Sequence, residues 1–352
     1  MVGLSKEFAA RGHNVYITGR FSCDATTESE SPDAITYVNI GTPDLKDARA
    51  YEIFSSLLYS RVVHGKILEI KPDVIALVER FSAYFPSKLD LPKTFTVHSP
   101  DAMEFYRHFA LEYNRLNRVF FSVKRRVEEG VMANSDSVVA LTKSIEDYLR
   151  SKGFSDTTVI PNAADPNEYS DQGDGDYILY AGRLNKVKGV SCLISAYSRI
   201  CSSTHTRLMI VGSGPEETLL RELVRSEGIQ ERVDFRPTVN KILLKRLLSR
   251  CTVFVLPSLF EAFGVVAIEA MASCKPVVAS DIPGPNEIIT NGVNGFLFEK
   301  GNAVDLTSCL ELCLSDSKLR RNIGRNARNT IEERYTFKDA ADSYLQLWEK
   351  IR

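Results

Sequence analysis

Short β-branched apolar runs alternate with longer helical patterns from one end of the chain to the other, and this alternation limits the fold more than any other feature. The strand-like runs fall at 15–18, 35–40, 74–78, 94–98, 138–141, 177–181, 208–211, 233–235, 253–256, 276–279 and 295–298. Near-continuous apolar strands separated by helices predict parallel sheets covered on both faces. That is the doubly wound α/β arrangement, and here the pattern occurs twice. A chain of 352 residues has material for about two such domains.

The seam lies at 161–176, PNAADPNEYSDQGDGD, where proline, glycine and acidic residues cluster without a basic residue. Such a stretch has no core to build and reads as a linker. The expected organisation is an N-terminal domain over 1–163, a linker over 164–176, a second domain over 177–336, and a closing segment over 337–352. That last segment carries Tyr344, Leu345, Leu347 and Trp348 as an apolar helical stripe suited to docking. The opening is unusual. The chain starts inside an amphipathic helix (Leu4, Phe8, Ala9) and reaches its first strand run only after His13. Doubly wound domains normally begin with a strand and a glycine-rich turn. We expect both to be missing here, through a start upstream of Met1 or a shortened copy, with neighbouring strand edges left uncovered.

Lys and Arg total 44 against 45 Asp and Glu, a net charge of −1, whereas a protein built to neutralise nucleic-acid phosphates should be distinctly basic. No apolar run approaches the roughly 18–20 residues that span a bilayer. The N-terminus lacks the layout of a signal peptide, so a cytoplasmic location is expected. Seven scattered cysteines, an odd number, argue against a disulfide framework. Cys309 and Cys313 share an apolar helix face without a nearby histidine, the pattern of buried thiols; no metal site is expected.

Four segments carry chemistry. In 257–280, PSLFEAFGVVAIEAMASCKPVVAS, a strand ends in a loop running Glu261-Ala-Phe263-Gly264, then Val265 enters a helix holding Glu269. With a helix start near Gly264, its free N–H groups and partial positive charge suit an anionic phosphate. Glu269 then lies about 7.5 Å along the axis, within reach of a vicinal diol such as a ribose. Glu261 can accept from hydroxyls of a different group across the phosphates. The plainer alternative makes Glu261 a cap and Glu269 a solvated side chain. In 177–190, YILYAGRLNKVKGV, a strand ends at Ala181-Gly182 and places Arg183 at the carboxyl edge, with Lys188 and Gly189 opening the next helix. A guanidinium fork and a flexible ammonium there could hold a diphosphate leaving group, or be ordinary surface charge. In 208–217, Gly212-x-Gly214-Pro215 follows a strand and permits a tight turn, but it lacks the full dinucleotide fingerprint G-x-G-x-x-G. That fingerprint follows no strand run in the chain, which disfavours a nicotinamide-dependent dehydrogenase. In 93–105, His98 ends an N-terminal-domain strand, as a site residue or as a structural histidine.

Taken in order, these elements resemble the retaining GT-B glycosyltransferases of group 1, glycosyltransferase family 4. The Glu-x7-Glu pattern matches Glu261 and Glu269, and Gly-Arg-Leu…Lys-Gly matches Gly182-Arg183-Leu184 and Lys188-Gly189. Gly-x-Gly-Pro matches Gly212–Pro215, and Ile-Pro-Asn-Ala-x-Asp matches Ile160–Asp165. The stretches 133–135, 141–144 and 11–15 add similar elements in the right places. The resemblance implies an α/β GT-B fold: two Rossmann-like doubly wound domains facing a cleft, with the last helix crossing back to the first domain. It implies a metal-independent, retaining hexosyltransferase that uses a nucleotide-sugar such as UDP-glucose or GDP-mannose and needs no cofactor. By the same resemblance Arg183 and Lys188 contact the diphosphate, Glu269 the ribose and Glu261 the donor sugar. Gly182, Gly212, Gly214, Phe263, Gly264 and Val265 line the donor, backbone around 236–239 meets the base, and His98 approaches the sugar.

The acceptor is expected to be a hydroxyl, lipid-linked or on a glycan. The segment 113–129, YNRLNRVFFSVKRRVEE, interleaves Arg115, Arg118, Lys124, Arg125 and Arg126 with Phe120 and Phe121. It reads either as a helix for the face of an anionic membrane or as one packed on its own domain. The rival reading of the whole chain, motivated by its unusual opening, is a non-catalytic or truncated sugar-nucleotide-binding protein.

Overall fold

The computed structural model describes residues 2–19, 28–30, 35–39, 49–98 and 115–352. The chain divides into a first unit, Met1–Pro161 with Phe337–Arg352, and a second, Asn162–Thr336.

In the first unit, β1 (Val15–Gly19), β2 (Glu28–Glu30) and β3 (Ile35–Asn39) form a sheet of order β1-β3-β2. β1 lies parallel to β3, with Val15 opposite Ile35, and β2 is antiparallel. A second sheet runs β4 (Ile75–Leu77), β5 (Lys93–Val97), β6 (Ser137–Ala140), β7 (Thr157–Val159), all parallel and in chain order. β5 and β6 are buried along their whole length, as strands covered on both faces must be. Among the described residues β1 and β4 each pair with a single strand, and Tyr16 on β1 is exposed.

The apolar stripe of the closing segment forms the helix Phe337–Ile351, which belongs to the first unit. Its Trp348 ring lies 4.9 Å from that of Phe8 in the opening helix Val2–Ala10. Trp348 Nε1 donates to Thr94 Oγ1 at 3.3 Å, and Tyr344 Oη sits 2.9 Å from Thr96 Oγ1, so the helix is also fixed to β5.

The second unit is one parallel sheet of order β10-β9-β8-β11-β12-β13. Its strands are β8 (Tyr177–Ala181), β9 (Arg207–Val211), β10 (Val233–Arg236), β11 (Val253–Leu256), β12 (Val277–Ser280) and β13 (Phe296–Phe298). Ile178, Val253, Val278, Ile194 and Leu310 are wholly buried in its core, each contributing about 1.5–3 kcal/mol. The chain lays strands outward from β8 to β10, then returns beside β8 and builds the other way from β11. The crevice beyond the carboxyl ends of β8 and β11 is therefore the topological switch point, where such sheets bind ligands.

The stretch 164–176 falls within the second unit. Buried Lys275 donates to Asp171 Oδ1 at 2.6 Å and to the Gly173 carbonyl at 2.7 Å. Arg320 Nη2 donates to Asp174 Oδ2 at 2.6 Å, and Gly175 N donates to the Arg250 carbonyl at 2.6 Å. Glu168, Asp171 and Asp174 find their cations on distant elements. Composition within the stretch could not show that.

Among the described residues no helix is long and apolar enough to cross a membrane. Cys309 and Cys313 lie buried in the helix Ala303–Ser315, and burial pushes their thiols up to about 11 and about 12. Residues 40, 99–105, 113 and 114, parts of segments read above, lie outside the described residues; so do the side chains of Arg115, Arg118 and Phe120.

Candidate functional site

Two loops meet at the switch point. After β8 the chain passes Gly182 and Arg183, whose carbonyl accepts from Tyr180 Oη at 2.9 Å. The Arg183 side chain is exposed and makes no ion pair among the described residues. Asn185 then caps a short turn, Lys186–Lys188, accepting from the Lys188 amide at 3.2 Å. After β11 the second loop runs to Gly264. Leu259 N donates to the Val187 carbonyl at 2.8 Å, stitching the loops together, and Lys188 Nζ donates to Glu261 Oε2 at 2.5 Å. Buried Ser258 lies 3.4 Å from the same oxygen.

Gly264, at φ 97°, caps the helix Val265–Ala272 in a left-handed conformation that a side chain would strain. No side chain caps this end. The first amides, those of Val265 and Val266, thus have no intrahelical acceptor and head a helix of positive partial charge. Phe263 is buried, its ring 6.0 Å from that of Tyr335.

One turn into this helix stands Glu269, whose Oε1 accepts from Tyr169 Oη at 2.8 Å. Burial raises the pKa of Glu269, while the Tyr169 hydrogen bond and the charges of Lys241 and Lys245 pull it down. Tyr169 sits in a polar stretch of no evident pattern, so nothing in its local sequence marks it.

Gly212 and Gly214 serve packing between loops. A Cβ on Gly212 would overlap the Gly182 carbonyl, and one on Gly214 the Leu184 carbonyl. Gly182 N donates to the Val211 carbonyl and Leu184 N to the Ser213 carbonyl, each at 3.0 Å, so the loops after β8 and β9 form one surface. The Arg236 carbonyl accepts from Gly212 N at 2.9 Å, and Arg236 Nε donates to Asp234 at 2.8 Å.

His98 belongs to the first unit, directly after β5, and its side chain is open to solvent. The protein packed around it nevertheless lowers its pKa. It lines a cavity of about 240 Å³ with Val78, Glu79, Arg80, Thr96 and Glu128. Glu128 is buried, 3.8 Å from Arg80 Nη2, and burial lifts its carboxyl to about 7. Among the described residues no group of three or more His, Cys, Asp or Glu is placed to hold a metal.

Residues 162–330 match the family described as Glycosyl transferases group 1, and residues 1–168 match Glycosyltransferase Family 4. An uncharacterized glycosyltransferase of Methanocaldococcus jannaschii is 35% identical over 178 residues, 51% of this chain and 46% of that protein. The chain thus spans under half the length of this relative. Sucrose-phosphate synthase from Thermosynechococcus elongatus superposes with a TM-score of 0.83 at 22% identity, covering 99% of this chain and 91% of that one. The Anabaena protein HepE in complex with UDP gives a TM-score of 0.70 at 21% identity, over 83% of this chain and 82% of that one. With two Rossmann-like α/β units and a family match to each half, the chain has the GT-B fold and is related to glycosyltransferase family 4 and to the group 1 glycosyl transferases.

Proposed function

We propose that this chain moves a hexosyl group from a nucleoside-diphosphate sugar to a hydroxyl acceptor with retention of anomeric configuration. The observation that carries the reading is the bridge from Lys188 to Glu261 across the switch point. It brings an ammonium, a carboxylate and a helix N-terminus to one crevice. A diphosphate there meets the Arg183 guanidinium, the Lys188 ammonium and the Val265 amide, while Glu269 accepts from the ribose hydroxyls and Glu261 from those of the sugar. HepE, of the same fold, was solved with UDP, which supports a nucleotide in this role.

The chemistry follows from that placement. Fixed positive charge stabilises the diphosphate as the bond from the anomeric carbon to the phosphate oxygen breaks. The acceptor oxygen bonds to the same face of that carbon, and its proton passes to a departing phosphate oxygen. His98 and the cavity beside it belong to the acceptor side of this scheme. Exposed Val119, Val123, Arg125 and Arg126 on the helix Arg115–Ala133 support peripheral contact with anionic lipid; sedimentation with anionic vesicles, lost at raised salt, tests that contact.

The test of function is release of nucleoside diphosphate from UDP-, GDP- and ADP-sugars with a panel of hydroxyl acceptors. Release with sugar transfer supports the reading. Tight nucleotide binding without turnover would leave only the sugar-nucleotide-binding function.

A further inference from the structure

Tyr169 is buried, and its phenol is committed to one oxygen of Glu269, Oη to Oε1 at 2.8 Å. The rest of the residue is fixed independently. Its carbonyl accepts from Arg328 Nη1 at 3.2 Å, and the same nitrogen donates to the Ala272 carbonyl at the end of the helix that carries Glu269. Lys245 lies over its ring, 5.0 Å from the centroid, and is itself paired with Glu168. One guanidinium therefore ties the tyrosine to the end of the Glu269 helix, and one ammonium covers its ring. Among the described residues, Glu269 Oε2 accepts no hydrogen bond.

We propose that Tyr169 is a positioning residue: its hydroxyl holds one Glu269 oxygen so that the other is presented to the vicinal diol of the nucleotide's ribose. The inference rests on the reading of Glu269 as the ribose acceptor and adds the group that orients it. A carboxylate without this donor can turn about its terminal torsion, which is broad for Glu, and toward Lys241 or Lys245, whose charges already act on it. An oriented acceptor gains affinity because less freedom is lost when the diol arrives.

The experiment is a calorimetric comparison on the full chain. UDP, GDP and ADP are titrated first, and the one that binds is compared with its 2′,3′-dideoxy form. The proteins are wild type, Tyr169→Phe, Glu269→Gln and the double variant, with melting curves to confirm folding. Tyr169→Phe is expected to weaken the ribonucleotide roughly five- to tenfold, to leave the dideoxy form unchanged, and to add nothing in the Glu269→Gln background. If Glu269→Gln weakens the ribonucleotide but Tyr169→Phe does not, or weakens both nucleotides alike, the positioning role is overturned and the ribose reading stands. If no nucleotide binds wild type, or Glu269→Gln has no effect, the ribose reading fails and the inference with it.

Discussion

Lys188 reaches across the reversal point of the second sheet to Glu261, Nζ to Oε2 at 2.5 Å, with the two side chains 26% and 15% exposed. The two residues lie 73 positions apart and come from loops on neighbouring strands. On the proposed reading, a phosphate oxygen entering the crevice competes with Glu261 for the same ammonium, and the pair is the resting arrangement of a charge that the donor would recruit.

The first prediction concerns that charge. Lys188→Ala and Arg183→Ala should each lose a charge-assisted contact of about 1.5–3 kcal/mol, roughly 10- to 150-fold in kcat/KM for the donor. Steady-state kinetics check this. Unchanged turnover in both variants would remove the two cations from the diphosphate.

Gly264 supplies the second. At φ 97°, an added Cβ is strained and would lie 3.1 Å from Leu256 Cδ2. Gly264→Ala should destabilise the second unit by about 1–2 kcal/mol and weaken nucleotide binding through displaced Val265 and Val266 amides. Urea unfolding and calorimetry read the two effects separately.

The candidate residues of the second unit stand out in the sequence because their pattern is local. A glycine and a charged residue adjoin the end of β8 at Gly182-Arg183, and Glu261 and Gly264 follow within eight residues of the end of β11. Tyr169 was not legible, since its partner lies 100 positions away. The ion pairs of the acidic stretch 164–176 were not legible for the same reason: Lys275 and Arg320, which pair with Asp171 and Asp174, lie 104 and 146 positions off. Among the strands, the runs buried on both faces declared themselves. The missed ones were β2, Glu-Ser-Glu on the outside of its sheet, and β7, a three-residue edge with two threonines.

The acidic stretch yields a third prediction. Asp171→Ala leaves the Lys275 ammonium buried with one carbonyl as its remaining acceptor. The loss should be about 1–3 kcal/mol, below the range for a wholly buried pair because Asp171 is 45% exposed. Lys275→Met, which removes the buried charge as well, should be less harmful than Asp171→Ala. Equal urea midpoints for wild type and Asp171→Ala would count against the pin.

Glu128 gives a pH dependence. Burial raises its carboxyl from 4.5 to about 7, against the opposing pull of Arg80. The native state therefore holds this proton more tightly than the unfolded chain. The resulting stability is full below about 4.5 and is lost as pH rises through about 7. The loss amounts to about 3 kcal/mol at most. Glu128→Gln should abolish this slope, so its stability relative to wild type should rise between pH 5 and pH 8. Parallel profiles would show that the carboxyl ionises normally.

The most direct test is a crystal structure of the chain with a bound nucleoside diphosphate. The expected result places diphosphate oxygens within hydrogen-bonding distance of the Arg183 guanidinium, the Lys188 ammonium and the Val265 amide, with the Lys188–Glu261 contact broken. A diphosphate lodged elsewhere, with that contact intact, would contradict the account.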